Sequence, residues 1–162
     1  MNFRNFTVLD LETTGFSPAK DRVTQLAMVT VIEWKIWDSH LVSFDTGSPV
    51  PEKIKALTCA HEDELKFHHK IELQGITIAH GTIVAHNAEF DKRFCKKFLP
   101  GIGSGNAIWW CSLAHYRKKF PGQSHKLQDL IGKYLTPTER TPGAHSAVSD
   151  ALNLAKLLLK VR

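Results

Sequence analysis

Two carboxylates stand inside the first apolar run of the chain. Asn5-Phe6-Thr7-Val8-Leu9-Asp10-Leu11 reads as a buried strand, followed by Glu12 and the turn-forming Thr13-Thr14-Gly15. Side chains at i and i+2 of a strand project from one face, so Asp10 and Glu12 lie side by side. The flanking Leu9 and Leu11 imply that the strand is buried. Two uncompensated negative charges in such a place are costly. Divalent cations would remove that cost, because Mg²⁺ and Mn²⁺ prefer oxygen ligands. The alternative is a solvated strand end, where D-x-E carries no chemistry. Gly15 lacks a Cβ, so the turn backbone can approach a ligand closely.

The rest of the chain supplies layers for that strand. Residues 22–33 and 35–44 are rich in Val, Ile, Thr and Trp and read as two further strands, with a hairpin at Glu33-Trp34-Lys35. The first three strands then form an antiparallel meander. Pro49 and Pro51 open a loop, helical material follows near 52–58 and 61–69, and 70–80 fits helix or strand equally. Thr82–Ala85 reads as a short buried strand. Ala88–Phe98 reads as an amphipathic helix carrying Phe90, Phe94 and Phe98 at a spacing of four. A glycine-rich loop at 100–105 leads to a strand near 107–110. Helices are expected near 112–120, 125–135 and 146–161, the last with an apolar stripe of Ala151, Leu154, Ala155 and Leu158. This order predicts an α/β fold, compatible with a ribonuclease H-like mixed sheet and flanking helices. The 162 residues fit a single domain with its own core.

Composition narrows the partners. The longest unbroken apolar run, Ala107–Cys111, is far too short to span a bilayer, and Met1–Asp10 does not resemble a signal peptide. A cytoplasmic protein with no membrane partner is expected. Cys59, Cys95 and Cys111 are odd in number and match neither a zinc ribbon nor a redox pair, so they read as free thiols. His68 and His69 lack further ligands at zinc spacing and read as solvated. The net charge of +5 suits a polyanionic partner, and more so if several carboxylates are set against metal ions.

Two more segments carry acidic or imidazole groups at element ends. Asp91 lies where a strand runs into a helix, the position at which sites collect in open α/β sheets. Taken alone it reads as a first-turn helix residue stabilised by the helix dipole. His145 follows Pro142-Gly143 on the approach to the last helix, and Asp150 lies inside that helix. Each reads singly as an ordinary solvated or structural group.

Together the three segments resemble a known family. Val8-Leu9-Asp10-Leu11-Glu12-Thr13-Thr14-Gly15, Ala85-His86-Asn87-Ala88-Glu89-Phe90-Asp91 and His145-Ser146-Ala147-Val148-Ser149-Asp150 look like the three exonuclease motifs of the DnaQ-like DEDDh family, in order and separation. Trp110-Cys111-Ser112-Leu113-Ala114 with Phe120-Pro121-Gly122 is similar to exodeoxyribonuclease X-like members, although many relatives have Asp-Thr at Cys111-Ser112. Ala56-Leu57-Thr58-Cys59-Ala60-His61 resembles the substrate-wedge segment.

The resemblance implies 3′–5′ hydrolysis of nucleic acid to nucleoside monophosphates, with two divalent cations, Mg²⁺ or Mn²⁺, as cofactors. Asp10, Glu12, Asp91 and Asp150 are the implied metal ligands and His145 the general base. Imidazoles titrate near neutrality, which suits that role. The implied substrate contacts are Leu11, Thr13, Thr14 and Gly15 from the first motif, Leu57 from the wedge, and His86, Asn87 and Phe90 from the second motif. The spacing of Phe90 with Phe94 and Phe98 also fits core packing. The expected partner is the 3′ end of DNA, single-stranded first, with RNA as the alternative. The sequence ends just after its last helix, which favours a free-standing enzyme and indicates no polymerase partner. A proofreading subunit and an idle nucleic-acid-binding module on the same fold remain the alternatives, and oligomeric state is left open.

Overall fold

The computed structural model describes residues 3–44, 46–47, 78, 81–143 and 145–161. The helices expected near 52–58 and 61–69, and the ambiguous stretch 70–80 apart from Ile78, lie outside the described residues. Strands β1 (Phe6–Thr13), β2 (Val23–Ile32), β3 (Lys35–Ser43), β4 (Thr82–Ala85) and β5 (Ile108–Cys111) form one mixed sheet in the order β3-β2-β1-β4-β5. Among the described residues four helices accompany it: α1 (Ala88–Phe98), α2 (Ser112–Lys119), α3 (Leu127–Tyr134) and α4 (Ala147–Lys160). The expected meander is present, with β1–β2 and β2–β3 antiparallel, while β4 and β5 continue the sheet parallel to β1. Among the described residues, no helix is long and apolar enough to cross a membrane.

The hairpin between β2 and β3 turns on Glu33 and Trp34, both at positive φ (47° and 63°). Two-residue loops of that kind match the right-handed twist of their strands. Neither residue is glycine, so tertiary contacts must hold the turn. The Glu33 N–H donates to Asn5 Oδ1 at 2.8 Å, and the Trp34 ring packs edge-on against Phe6.

Strand alternation splits the core into two layers. Phe6 and Val8 face a cluster that includes Ala147, Ala151, Leu154, Leu157 and Leu158 of α4. Leu9 and Leu11 belong to a second cluster with Phe94 and Cys95 of α1. The predicted stripe of α4 is thus its buried face, since Ala151, Leu154, Ala155 and Leu158 are each at most 1% exposed.

The pairing also sets where the site falls. Val8 pairs with Val84, and β4 ends one residue later at Ala85. Strand β1 continues to Thr13, two residues beyond its expected end, so Asp10 and Glu12 project past the end of β4. They continue the row of Phe6 and Val8 on the face toward α4.

Truncating the α4 stripe tests its share of the core. Leu154→Ala is expected to destabilise the fold by about 2–5 kcal/mol, the range for emptying a buried leucine site. The urea midpoint measures it, and a loss within error of zero would mean that α4 does not depend on this contact.

Candidate active site

Three segments bring their acidic groups to the end of β4. Asp10 and Glu12 arrive from β1, half-buried. Asp150 arrives from the first turn of α4 and is 8% exposed. Gln25 of β2 helps align that helix, because the Ala147 N–H points at its Oε1 at 3.4 Å. One carboxylate oxygen from each of Asp10, Glu12 and Asp150 lies within 4.8 Å of the others. Asp91 comes from the first turn of α1 and is 3% exposed. The chain enters α1 through Asn87 at φ 76°, a left-handed conformation that Asn tolerates better than most residues. Because β4 has ended, the Leu11 N–H is free to donate to the Asp91 carboxylate, which ties α1 to β1.

Burial and mutual repulsion dominate the electrostatics. Asp10 is pushed well above the usual carboxylate range, first by desolvation, then by Asp91, Glu12 and Asp150. Glu12 rises to about 8 through desolvation, then through Asp150 and Asp91. Burial raises Asp91, opposed by hydrogen bonds from its own N–H and that of Leu11. Burial also raises Asp150, opposed by Gln128 Nε2, which donates to Oδ1 at 2.7 Å, and by the charge and main-chain N–H of His145. Among the described residues, no lysine or arginine forms an ion pair with any of the four. Converging oxygen donors with no lysine or arginine paired to them among the described residues suit hard divalent cations.

The other predicted residues fall around this cluster, with some reassigned. The Thr13 hydroxyl donates to the Gly15 carbonyl at 2.6 Å, and Thr14 Oγ1 accepts from the Arg22 N–H at 3.0 Å, so both shape the turn. A Cβ on Gly15 would lie 2.6 Å from the Asp21 carboxylate, so the glycine makes room for Asp21. His86, expected as a substrate contact, also braces the loop before α3. Its Nε2 donates to the His125 carbonyl at 2.9 Å and its Nδ1 pairs with Ser112 Oγ at 3.0 Å, so both ring nitrogens are engaged within the protein. Asn87 is exposed beside Asp91, and His145 is exposed at φ 63°. Leu57 lies outside the described residues.

Two residues escaped the sequence reading. Gln128 has no sequence signal, because only the packing of α3 beside α4 brings it to Asp150. Phe16 had one, an aromatic directly after Thr13-Thr14-Gly15. It is 78% exposed and lies edge-on to the half-buried Phe90, with centroids 6.5 Å apart. Phe90 in turn packs 5.0 Å from buried Phe94, so it serves the core and a surface aromatic pair together.

The exonuclease family model RNase_T matches residues 7–158, from β1 through nearly all of α4. The chain belongs to this DnaQ-like exonuclease family. The PolC-type DNA polymerase III of Clostridium perfringens is 29% identical over 160 residues, covering 94% of this chain but only 11% of that protein. The DNA polymerase III subunit epsilon of Aquifex aeolicus is 28% identical over 165 residues, covering 96% of this chain and 79% of that one. The fold is shared with Exonuclease X in complex with 5′ overhanging duplex DNA, at a TM-score of 0.73 and 22% identity, covering 95% of this chain and 89% of that one. The family assignment agrees with the motif resemblance.

The raised Glu12 carboxyl makes stability depend on pH. Between its ordinary 4.5 and about 8, the folded chain holds this proton more tightly than the unfolded chain does. Its contribution is therefore fully present below pH 4.5 and lost as pH rises toward 8. Urea titrations of cation-free protein across that window should show a steeper decline for the parent than for Glu12→Gln, and Mg²⁺ should reduce the difference. Parallel declines would remove the burial cost assigned to Glu12.

Proposed function

We propose that the chain is a single exonuclease domain that hydrolyses nucleic acid from the 3′ end, releasing nucleoside monophosphates. Single-stranded DNA is the first substrate of this reading, and the cytoplasm its place of action. The observation that carries it is the convergence of the Asp10, Glu12 and Asp150 oxygens within 4.8 Å beside buried Asp91. Family membership and the DNA bound to Exonuclease X support the choice of substrate class.

In this reading Asp10, Glu12, Asp91 and Asp150 hold two divalent cations, Mg²⁺ or Mn²⁺. Such a pair supplies positive charge to the attacking and leaving oxygens of a phosphodiester in-line displacement. His145 takes the proton of the attacking water. Its main-chain N–H rests on the Asp150 carboxylate, which anchors the imidazole at the mouth of the cluster. The approach to it is pinned: Asn153 brackets Thr141 with bonds of 2.7 and 2.9 Å, and Ser149 Oγ donates to the Pro142 carbonyl at 2.6 Å. These bonds hold the chain up to Pro142, ahead of Gly143 at φ 90°. Phe16 and Phe90 offer ring surface on which a terminal base can stack.

The 79% coverage of a polymerase III epsilon subunit supports a second reading, in which the same chemistry proofreads within a polymerase. Digestion of 3′-labelled and 5′-labelled DNA and RNA strands, with Mg²⁺ and with Mn²⁺, tests direction, sugar and metal together. Absence of turnover on every strand would leave a binding module instead.

Asp10→Ala should abolish turnover while the protein stays folded, because it removes a ligand and also relieves like-charge repulsion. Parental rates from folded, metal-saturated Asp10→Ala would refute the ligand assignment. His145→Ala should lower kcat by ~10²–10⁴-fold, the usual worth of a general base. The ascending limb of its pH–rate profile should vanish, with some rate recovered at alkaline pH. An unchanged profile would take His145 out of the reaction.

A further inference from the structure

We propose that a basic groove beside the carboxylates holds a backbone phosphate of the strand upstream of the scissile bond. This rests on the exonuclease reading and deepens it. The groove has a volume of about 470 Å³, and His86, Arg117, Ser124, His125 and Lys126 are among its lining residues. Its walls are the turn between β4 and α1, the α2 helix, and the loop before α3.

Its position follows from the parallel half of the sheet. Strands β1, β4 and β5 run in the same direction, so their C-terminal ends share one edge. The carboxylates occupy that edge at β1, and the groove occupies it at β4 and β5. His86 opens the turn that leads to Asp91. Lys126 lies two residues before Gln128, whose amide donates to Asp150. Both carboxylate-bearing helices are therefore tied to groove walls. A strand whose 3′ end enters the cluster must lay its upstream phosphates on nearby surface, and this one is cationic.

The hydrogen bonds indicate which groups are available. His86 is spent on Ser112 and the His125 carbonyl, which fixes the loop. His125 Nε2 donates to the Phe120 carbonyl, and Ser124 Oγ donates to Asp129. Gln123 bridges Lys133 and the Tyr134 hydroxyl. Lys119 is bound to the Val161 carbonyl. On α1, Lys97 donates to the Pro18 carbonyl and Arg93 to that of Glu89. Arg117 and Lys126 are exposed, and neither forms an ion pair among the described residues. Two uncommitted cations on a braced groove, with Asp129 occupied by Ser124, match the charge and donor needs of a phosphodiester.

Binding and turnover separate this site from the reading it rests on. Affinity for fluorescent single-stranded DNA is measured across a salt series in the Asp10→Ala background, which prevents digestion. Arg117→Gln with Lys126→Gln should flatten the log–log slope by about 0.7, the value for one lost phosphate contact on a single strand. Lys92→Gln with Arg93→Gln removes equal charge from α1 and should flatten it less. With Asp10 restored, KM for a dinucleotide should exceed that for a longer strand, and the groove pair of substitutions should shrink that ratio. Flattening without turnover of any strand by the parent would overturn the exonuclease reading and support the phosphate site. Parental turnover with an unchanged slope and ratio, or equal flattening by the α1 pair, would overturn the groove.

Discussion

The structure depends on holding four carboxylates together where water is scarce. Each is driven toward its neutral form, mainly by burial, and Asp10 also feels the charges of the other three. Hydrophobic packing makes such an arrangement possible. Phe6 and Val8 press β1 against α4 with one face, while Leu9 and Leu11 fasten the other face to α1. The helices that bear Asp150 and Asp91 are thereby clamped on opposite sides of the strand that bears Asp10 and Glu12. The repulsion among the acids is offset by burial of aliphatic surface around them.

The polar groups near the cluster then have identifiable tasks. Gln128 and the His145 amide hold Asp150 as an acceptor, and the Leu11 amide does the same for Asp91. These are hydrogen bonds to the ionised form, which leave the negative charge in place for a cation. His86 and Ser112 act one layer further out, joining the ends of β4 and β5 to the loop before α3. The same network that keeps the acids in register shapes the groove with Arg117 and Lys126. Acidic cluster and basic groove are thus neighbouring parts of one sheet edge, suited respectively to cations and to phosphate.

Several elements were legible from residues alone because their signals are local. The alternation in β1, the four-residue repeat of Phe90, Phe94 and Phe98, and the stripe on α4 each reflect a period set by backbone geometry. Element ends were less legible. Strand β1 runs on through Glu12 to Thr13 because Gln25 and Val23 of β2 continue to pair with it, a fact held by another segment. The bracing role of His86 was not legible, because an imidazole beside a motif carries no mark of its partners, and those partners lie 26 and 39 residues away.

What the sequence determined by itself was the inventory and its periodicity: two acids on one face of an apolar strand, two more at helix starts, and a histidine ahead of the last helix. It also carried the order of motifs that marks the family. Tertiary structure decided their convergence. Asp10 and Asp150 are 140 residues apart in the chain, and only the packing of α4 on β1 brings their oxygens within 4.8 Å. Tertiary structure also decided that Gln128 serves Asp150, that Gly15 yields space to Asp21, and that Arg117 and Lys126 face one groove. The physical reason is the same in each case: periodicity is encoded within a segment, whereas distances between segments depend on how their buried faces pack.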